Sequence, residues 1–161
     1  STTTFSLTLT MVLPIINVTG AYFAKALNRK LKNELLTSAV FFGAAALFLI
    51  ILRLFGTKNI IAALVSMACV TNCMFAVNVM LITMVPLRFQ KSGRVSTIGG
   101  FLNAMAYVGC GALNIAAGRL LGGSSGWSRL FAMWLALAVL ASAFSLFTAP
   151  MWKRFTGNED S

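Results

Sequence analysis

Five stretches of this sequence contain no charged residue, and each is 18 residues or longer. They are Ser1–Ala24, Leu35–Leu52, Asn59–Leu87, Val95–Gly118 and Leu130–Trp152. About 20 apolar residues in an α-helix span the hydrocarbon core of a bilayer, because each residue adds about 1.5 Å along an axis that must cover roughly 30 Å. Only 10% of the residues are charged, against about 25% in an average soluble domain. The pattern predicts an all-α polytopic membrane protein with five transmembrane helices, at residues 4–27, 36–55, 60–86, 96–120 and 130–153.

The first stretch does not have the features of a secretory signal, because it has neither a basic leading region nor a convincing small-residue cleavage site. The sequence also begins with Ser1 rather than Met and enters a hydrophobic segment at once. We therefore expect residues 1–161 to be one part of a longer membrane protein.

The basic residues of the connections are distributed unequally between the two sides of the predicted bundle. One side carries nine: Lys25, Arg29, Lys30, Lys32, Arg88, Lys91, Arg94, Lys153 and Arg154. The other side carries four: Arg53, Lys58, Arg119 and Arg129. Cytoplasmic loops are enriched in Lys and Arg, so the side with nine is predicted to be cytoplasmic. The N-terminus of the chain then lies outside and its C-terminus inside, in a cell membrane that we expect to be a bacterial cytoplasmic membrane.

The basic segment Val85–Gly100, VPLRFQKSGRVSTIGG, raises the question of phosphate or nucleic-acid binding. A P-loop needs a strand, the pattern GxxxxGK[ST] and a helix, and this segment has no matching lysine. The net charge of +10 is explained by basic residues at helix ends beside lipid, so we predict no nucleic-acid partner.

Residues that usually carry catalysis or bind metals are scarce. The chain has no His, and its acids, Glu34, Glu159 and Asp160, lie outside the predicted spans. Cys69 and Cys73 would share a helix face without further ligands, and a metal site needs more. We therefore predict no enzyme activity, no metal and no cofactor, and no proton relay within this segment.

The predicted helices are of two kinds. The second and fifth spans are almost uniformly apolar, which favours lipid-facing positions, with Trp127 and Trp152 as interfacial anchors. The other three carry polar residues that are candidates for lining a substrate cavity: Asn17, Asn72, Asn78, Asn103, Tyr107 and Asn114. The last three recur at i, i+4 and i+11 and so share one helix side. Two interpretations stay open, namely hydrogen bonds between closely packed helices or the lining of a substrate path.

Two segments resemble transporters of the major facilitator superfamily. LPIINVTGAYFAKALNRKLKNE (residues 13–34) is similar to the eighth helix and the loop after it, and VPLRFQKSGRVSTIGGFLNAMAYVGCGALN (residues 85–114) to the tenth-to-eleventh loop and the eleventh helix. The pattern of Pro86–Phe89, Gly93–Thr97, Gly100–Asn103 and Tyr107–Gly109 is similar to the organophosphate:phosphate antiporters and bacterial sugar-phosphate permeases.

The resemblance implies that the chain is helices eight to twelve of a twelve-helix fold, part of its C-terminal six-helix bundle. It implies a secondary active transporter that moves a small anionic or phosphorylated organic solute by alternating access, with the missing N-terminal half and the lipid bilayer as its partners. It also implies gating roles for basic residues of the cytoplasmic loops: Arg29, Lys30, Arg88, Lys91 and Arg94. For Arg29 and Arg94, that role would be binding to the last carbonyls of a neighbouring helix in one state of the transporter; simple solvation at the lipid headgroups is the alternative.

Two other functions stay open. The first is proton-coupled transport of an organic acid, sugar or drug, with the titratable groups in the part of the protein that this chain lacks. The second is a membrane sensor or scaffold that transports nothing, in which the polar residues only hold helices together.

Overall fold

The computed structural model describes residues 2–56, 59–122 and 125–157, without the side chains of residues 2–13 and 15. These ranges are helical, with no strand among them. The helices are α1 (Thr2–Leu31), α2 (Glu34–Phe55), α3 (Ile60–Asn78), a π-helical segment (Val79–Met84), the short α4 (Val85–Leu87), α5 (Val95–Leu121) and α6 (Gly126–Gly157). The predicted all-α class is confirmed.

Four helical segments are long and apolar enough to cross a membrane: Glu34–Phe55, Ile60–Leu87, Val95–Leu121 and Gly126–Gly157. Their mean hydropathies are 2.5, 2.2, 1.3 and 2.2. These four support a multi-pass membrane protein and agree with four of the five predicted spans. The first predicted span, residues 4–27, is not among the four, and much of it lies outside the residues whose side chains are described.

At the turn from α1 to α2, capping residues and not the charges set the helix ends. Asn33 caps α2, with extended backbone and a side chain that accepts from the Leu36 N–H, so the helix begins at Glu34. At the end of α1, Lys32 adopts a left-handed φ of 48°, which stops the helix before the turn into α2.

The second helix is a central helix and not the lipid-facing outer helix that its uniform sequence predicted. It packs against α1, α3 and α6. Its buried residues are Glu34, Thr37, Ser38, Ala39, Ala45, Ala46, Leu49 and Leu52. Lipid tails and helix interiors are equally apolar, so hydropathy does not distinguish a neighbouring helix from lipid. Small side chains do indicate a neighbouring helix, because they let two helix backbones approach closely.

The contact between α2 and α6 depends on such small residues. Ala46 and Ala138 are buried together in one core cluster with Leu49 and Leu52. Towards the other end of the contact, the Ser142 hydroxyl donates to the Ala39 carbonyl at 3.0 Å. Van der Waals packing at close approach and interhelical hydrogen bonds both hold helices together in lipid.

The end of α3 is widened into the π-helical segment Val79–Met84, just before Pro86. A proline inside a helix has no N–H, and its ring collides with the carbonyl four residues earlier. In the wider turn the Val85 N–H donates instead to the Met80 carbonyl, five residues earlier. Helix 60–87 can therefore accommodate Pro86 before it ends at Leu87.

Helix α5 packs only lightly, against α4, α6 and the π-helical segment, and has no buried residue. A Cβ built at Gly100, Gly109, Gly111 or Gly118 would meet no atom of another helix within 4 Å. None of these four glycines therefore brings α5 into close contact with another helix, as far as the structure describes the chain.

Candidate functional site

A buried charge cluster lies at one end of the bundle, where α1 and α6 end and α2 begins; we call this the basic end. At its centre is Glu34, whose side chain is only 4% exposed. Arg88, just after α4, donates to Glu34 Oε1 from Nη2 at 2.7 Å and from Nε at 2.9 Å. Trp152 Nε1 of α6 donates to Glu34 Oε2 at 2.9 Å. One carboxylate therefore joins α2, the end of α4 and α6.

Local structure at the start of α2 positions this carboxylate. Glu34 occupies the first turn, where the partial positive charge of the helix N-terminus favours an anion. The cap residue Asn33 also donates from Nδ2 to the Ala149 carbonyl of α6 at 2.9 Å. Asn28 of α1 adds a longer bond from Nδ2 to Glu34 Oε1, 3.5 Å. The bond from the cap residue to Ala149 holds the start of α2, and with it Glu34, against α6 independently of the ion pair with Arg88.

Three aromatic rings lie beside the cluster. The ring centroids of Phe89 and Trp152 are 6.2 Å apart, and Phe155 lies 5.7 Å from each of them. Aromatic pairs at such separations attract each other. They add an apolar contact between the segment after α4 and the end of α6, next to the polar one.

The basic end also contains an open cavity of about 630 Å³. Five cationic side chains line it: Lys25, Arg29, Lys32, Arg88 and Lys153. The polar residues Asn28 and Thr156 contribute to the same wall. The structure therefore brings basic residues from α1, α6 and the connections after α1 and α4 to one concavity.

Of the predicted gating residues, Arg88 is the one in the buried cluster. Arg29 lines the cavity, whereas Lys30, Lys91 and Arg94 are exposed outside its wall. Within the described ranges neither the Arg29 nor the Arg94 side chain donates to a helix carbonyl, and the contact expected in one state of a transporter stays a prediction. Arg94 directly precedes α5, where its carbonyl accepts from the Ile98 N–H and its side chain makes no capping hydrogen bond.

Among the predicted cavity-lining residues, Asn72 joins two helices. Its Nδ2 donates to the Ile16 carbonyl at 2.7 Å and to Thr19 Oγ1 at 2.9 Å, both on α1. A Cβ on Gly20 would lie 2.5 Å from the Asn72 carbonyl oxygen, so the two helices approach closely here. Asn17 is half-buried, and its Oδ1 has no donor among the described residues. Asn72 therefore acts as a link between helices, one of the two interpretations left open.

The polar residues of α5 are not brought together with Asn72. Asn103, Tyr107 and Asn114 all lie exposed on the outside of the bundle, and Asn114 makes only a weak contact to Cys110 Sγ at 3.7 Å. Asn78, at the end of α3, is exposed as well.

The exposed surface of α5 has two unlike sides. A helix turns 100° per residue, so Asn103, Tyr107 and Asn114 share one side with Gly100 and Gly111. Bulky apolar residues cover the adjoining side of the helix: Phe101, Met105, Val108 and Ile115. We call the first side the polar face of α5. A bilayer accommodates the apolar side, whereas the polar face needs water or another polar partner.

Two further cavities are apolar. One, of about 470 Å³, lies among α2, α3, α5 and α6 and is lined by residues such as Phe42, Met74 and Trp134. The other, of about 420 Å³, lies between α1, α2 and α3 beside Asn72. Asn72 lines the second cavity, and neither of the two is lined by Asn78, Asn103 or Tyr107.

Sequence reasoning missed Glu34, Asn33 and the role of Trp152. Glu34 was placed outside the spans, and Trp152 was interpreted as an interfacial anchor, but the two bond to each other. One signal could have found the cluster, because Asn33 and Glu34 form a helix start and Glu34 is the single acid before residue 159. No sequence rule pairs it with Arg88, 54 residues later.

The described residues contain no group of three His, Cys, Asp or Glu side chains that could hold a metal ion. Comparisons with protein-family models, with curated proteins and with solved structures give no match to the chain.

Proposed function

We propose that this chain is the C-terminal part of a secondary transporter, and that the polar face of α5 lines the path of a small anionic solute. The observation that carries the proposal is that face itself. Its three polar residues lie exposed on a helix of spanning length. Polar groups at membrane depth are stable only where they meet protein or a water-filled cavity.

The second support is the division of the bundle into a packed and an open part. Helices α1, α3 and α6 pack around α2, whereas α5 lies at the edge with its polar face uncovered by the described residues. The exposed side of α6, by contrast, consists of apolar residues such as Val139, Leu140, Phe144 and Phe147. The two sides thus have the chemistry of a water-facing and a lipid-facing surface.

In this proposal α1 also crosses the membrane and brings the number of transmembrane helices to five. The N-terminus of the chain lies outside, and the basic end faces the cytoplasm. Alternating access then consists of rigid-body rocking of this part against an N-terminal half around the polar face. Arg88 and Glu34 hold the ends of α2, α4 and α6 together, so that they move as one body. The resemblance of residues 13–34 and 85–114 to the major facilitator superfamily, and to its phosphate-exchanging branch, supports an anionic or phosphorylated solute.

The test uses the full-length protein that carries this chain, reconstituted into vesicles loaded with radiolabelled phosphate. External glycerol phosphate, a hexose phosphate or phosphate is added, and release of the label is followed. We expect release that depends on the external anion. Tyr107→Ala should slow it about tenfold, since one lost hydrogen bond to a charged solute is worth about 1.5–3 kcal/mol. Leu140→Ala, on the apolar side of α6, should leave the rate unchanged.

Each other outcome assigns a different function. Absence of stimulated release from sealed vesicles with folded protein would contradict phosphate exchange. Solute uptake driven by an imposed proton gradient would then indicate a proton-coupled transporter. If no solute moves and Tyr107→Ala changes only stability, the protein is a sensor or scaffold.

A further inference from the structure

We propose that the cavity at the basic end is a binding site for a phosphate-bearing anion. This site is separate from the polar face of α5, and its existence does not depend on the transport proposed above. The cavity measures about 630 Å³, within the range of roughly 300–1,000 Å³ that is typical of small-molecule sites. It has room for a phosphate group with an organic substituent.

The charges around the cavity do not cancel. Lys25, Arg29, Lys32, Arg88 and Lys153 provide five positive charges against the single carboxylate of Glu34, which leaves four. Basic residues often compensate helix C-termini, and three helices end here, each with about half a negative charge. These helix ends offset about one and a half of the four charges. The start of α2 adds about half a positive charge, so about three positive charges remain, an excess that favours binding of an anion such as a phosphate monoester.

The donors are of the kind that phosphate oxygens accept. Three ammonium groups line the cavity, those of Lys25 in α1, Lys32 just after α1 and Lys153 in α6. The Asn28 amide and the Thr156 hydroxyl lie in the same wall. Glu34 already accepts from Arg88 and Trp152, so the carboxylate is occupied and shielded from the cavity. Arg88 uses Nε and Nη2 for that pair, and its Nη1 makes no hydrogen bond to a described residue. A guanidinium held on one side by a carboxylate can bind a phosphate on the other.

The position of the cavity allows two sources of the same chemistry. It lies where membrane helices end, and basic pockets between such helices bind the headgroups of anionic lipids. It is also open to water, from which a soluble phosphate ester can enter. The phosphate group is common to both, and the experiment separates the sources.

The full-length protein is purified in neutral detergent and titrated with glycerol phosphate and with inorganic phosphate by calorimetry. A parallel sample is exposed to phosphatidylglycerol and examined by native mass spectrometry for retained lipid. The test variant Lys25→Gln/Lys153→Gln removes two exposed cations of the cavity. The matched control Arg53→Gln/Arg119→Gln removes two exposed cations that do not line it.

We expect each cavity cation removed to weaken binding about fivefold, as for basic residues beside anionic lipid, and the control pair to change it less than twofold. Binding should weaken as salt is raised, since the cations are exposed. Retained phosphatidylglycerol that soluble phosphates do not displace identifies a headgroup site, and displacement identifies a soluble ester. If the control pair weakens binding as much as the cavity pair, or if wild type binds none of the three probes, the proposal is wrong. Thermal unfolding of both variants establishes that they are folded.

Discussion

At the scale of single residues, Glu34 and Arg88 differ in their access to water. The Glu34 side chain is 4% exposed and the Arg88 side chain 33%. Loss of one partner from a buried ion pair costs about 3–5 kcal/mol, because the other charge is left without compensation. The two partners should therefore respond unequally to substitution.

We expect Arg88→Gln to lower the free energy of unfolding by about 3–5 kcal/mol, since it leaves a buried carboxylate without its partner. Glu34→Gln should cost less, about 1–2 kcal/mol, because the released guanidinium reaches water and the amide oxygen still accepts a hydrogen bond. Unfolding of the purified protein in mixed micelles with increasing dodecyl sulfate measures both. Equal losses, or a larger loss for Glu34→Gln, would contradict the buried position of the carboxylate.

Asn33 has two roles, as a helix cap and as a link between helices, whereas Asn59 has only the first among the described residues. Asn33 caps α2 and also donates to the Ala149 carbonyl of α6. Asn59 caps α3, with bonds only to the Ile61 and Ala62 N–H groups. Asn59→Ala should lose about 1 kcal/mol of stability, the usual value of a cap.

Asn33→Ala should lose about 0.6 kcal/mol more, for the interhelical bond. It should also increase the hydrogen exchange of α6 near Ala149, which Asn59→Ala should leave unchanged. Identical exchange in the two variants would show that the Asn33 amide does not hold α6.

At the scale of helices, the sequence predicted where the membrane helices lie along the chain but not how they pack against one another. Hydropathy and charge-free length located α2, α3, α5 and α6 to within a few residues, because insertion into lipid depends on those quantities. The same quantities placed α2 wrongly at the lipid surface. Its central position follows from alanines and Ser142 at the α2–α6 contact, and such shape complementarity cannot be read from hydropathy.

The candidate site divides in the same way. Periodicity put Asn103, Tyr107 and Asn114 on one side of α5, as the structure does. The sequence identified Asn72 as a polar residue at membrane depth. Its bonds to α1 could not be predicted, because Ile16 and Thr19 precede it by 56 and 53 positions in the sequence. The Glu34–Arg88 pair likewise required the fold.

The contact of α1 with α3 provides a test at this scale. Gly20→Ala would place a Cβ 2.5 Å from the Asn72 carbonyl oxygen and 2.7 Å from its Oδ1, so one helix must shift. We expect a loss of about 1–3 kcal/mol in the free energy of unfolding. Gly111→Ala on α5 meets no atom within 4 Å and should be neutral or stabilise by up to about 1 kcal/mol, since Ala favours a helix. If Gly20→Ala is tolerated as well as Gly111→Ala, the two helices are not in close contact.

At the scale of the whole molecule, the chain has a packed bundle around α2, a basic end with a buried ion pair, and one helix whose polar face is open. The proposed function requires that this face meets water at membrane depth. Tyr107 and Leu140 form a matched pair for testing it, because both lie near the middle of a long helix and are 72% and 65% exposed. They differ in the side of the bundle that they occupy.

The measurement uses the full-length protein in sealed vesicles, with Cys69, Cys73 and Cys110 replaced by alanine and a single thiol introduced by Tyr107→Cys or by Leu140→Cys. A membrane-impermeant maleimide is added from either side, and the labelled fraction is followed with time. A thiol reacts as the thiolate and so needs water. We expect rapid labelling at position 107 from at least one side and none at position 140. Labelling at position 107 as slow as at position 140 would show that the polar face does not line an aqueous path, and would contradict the proposed function.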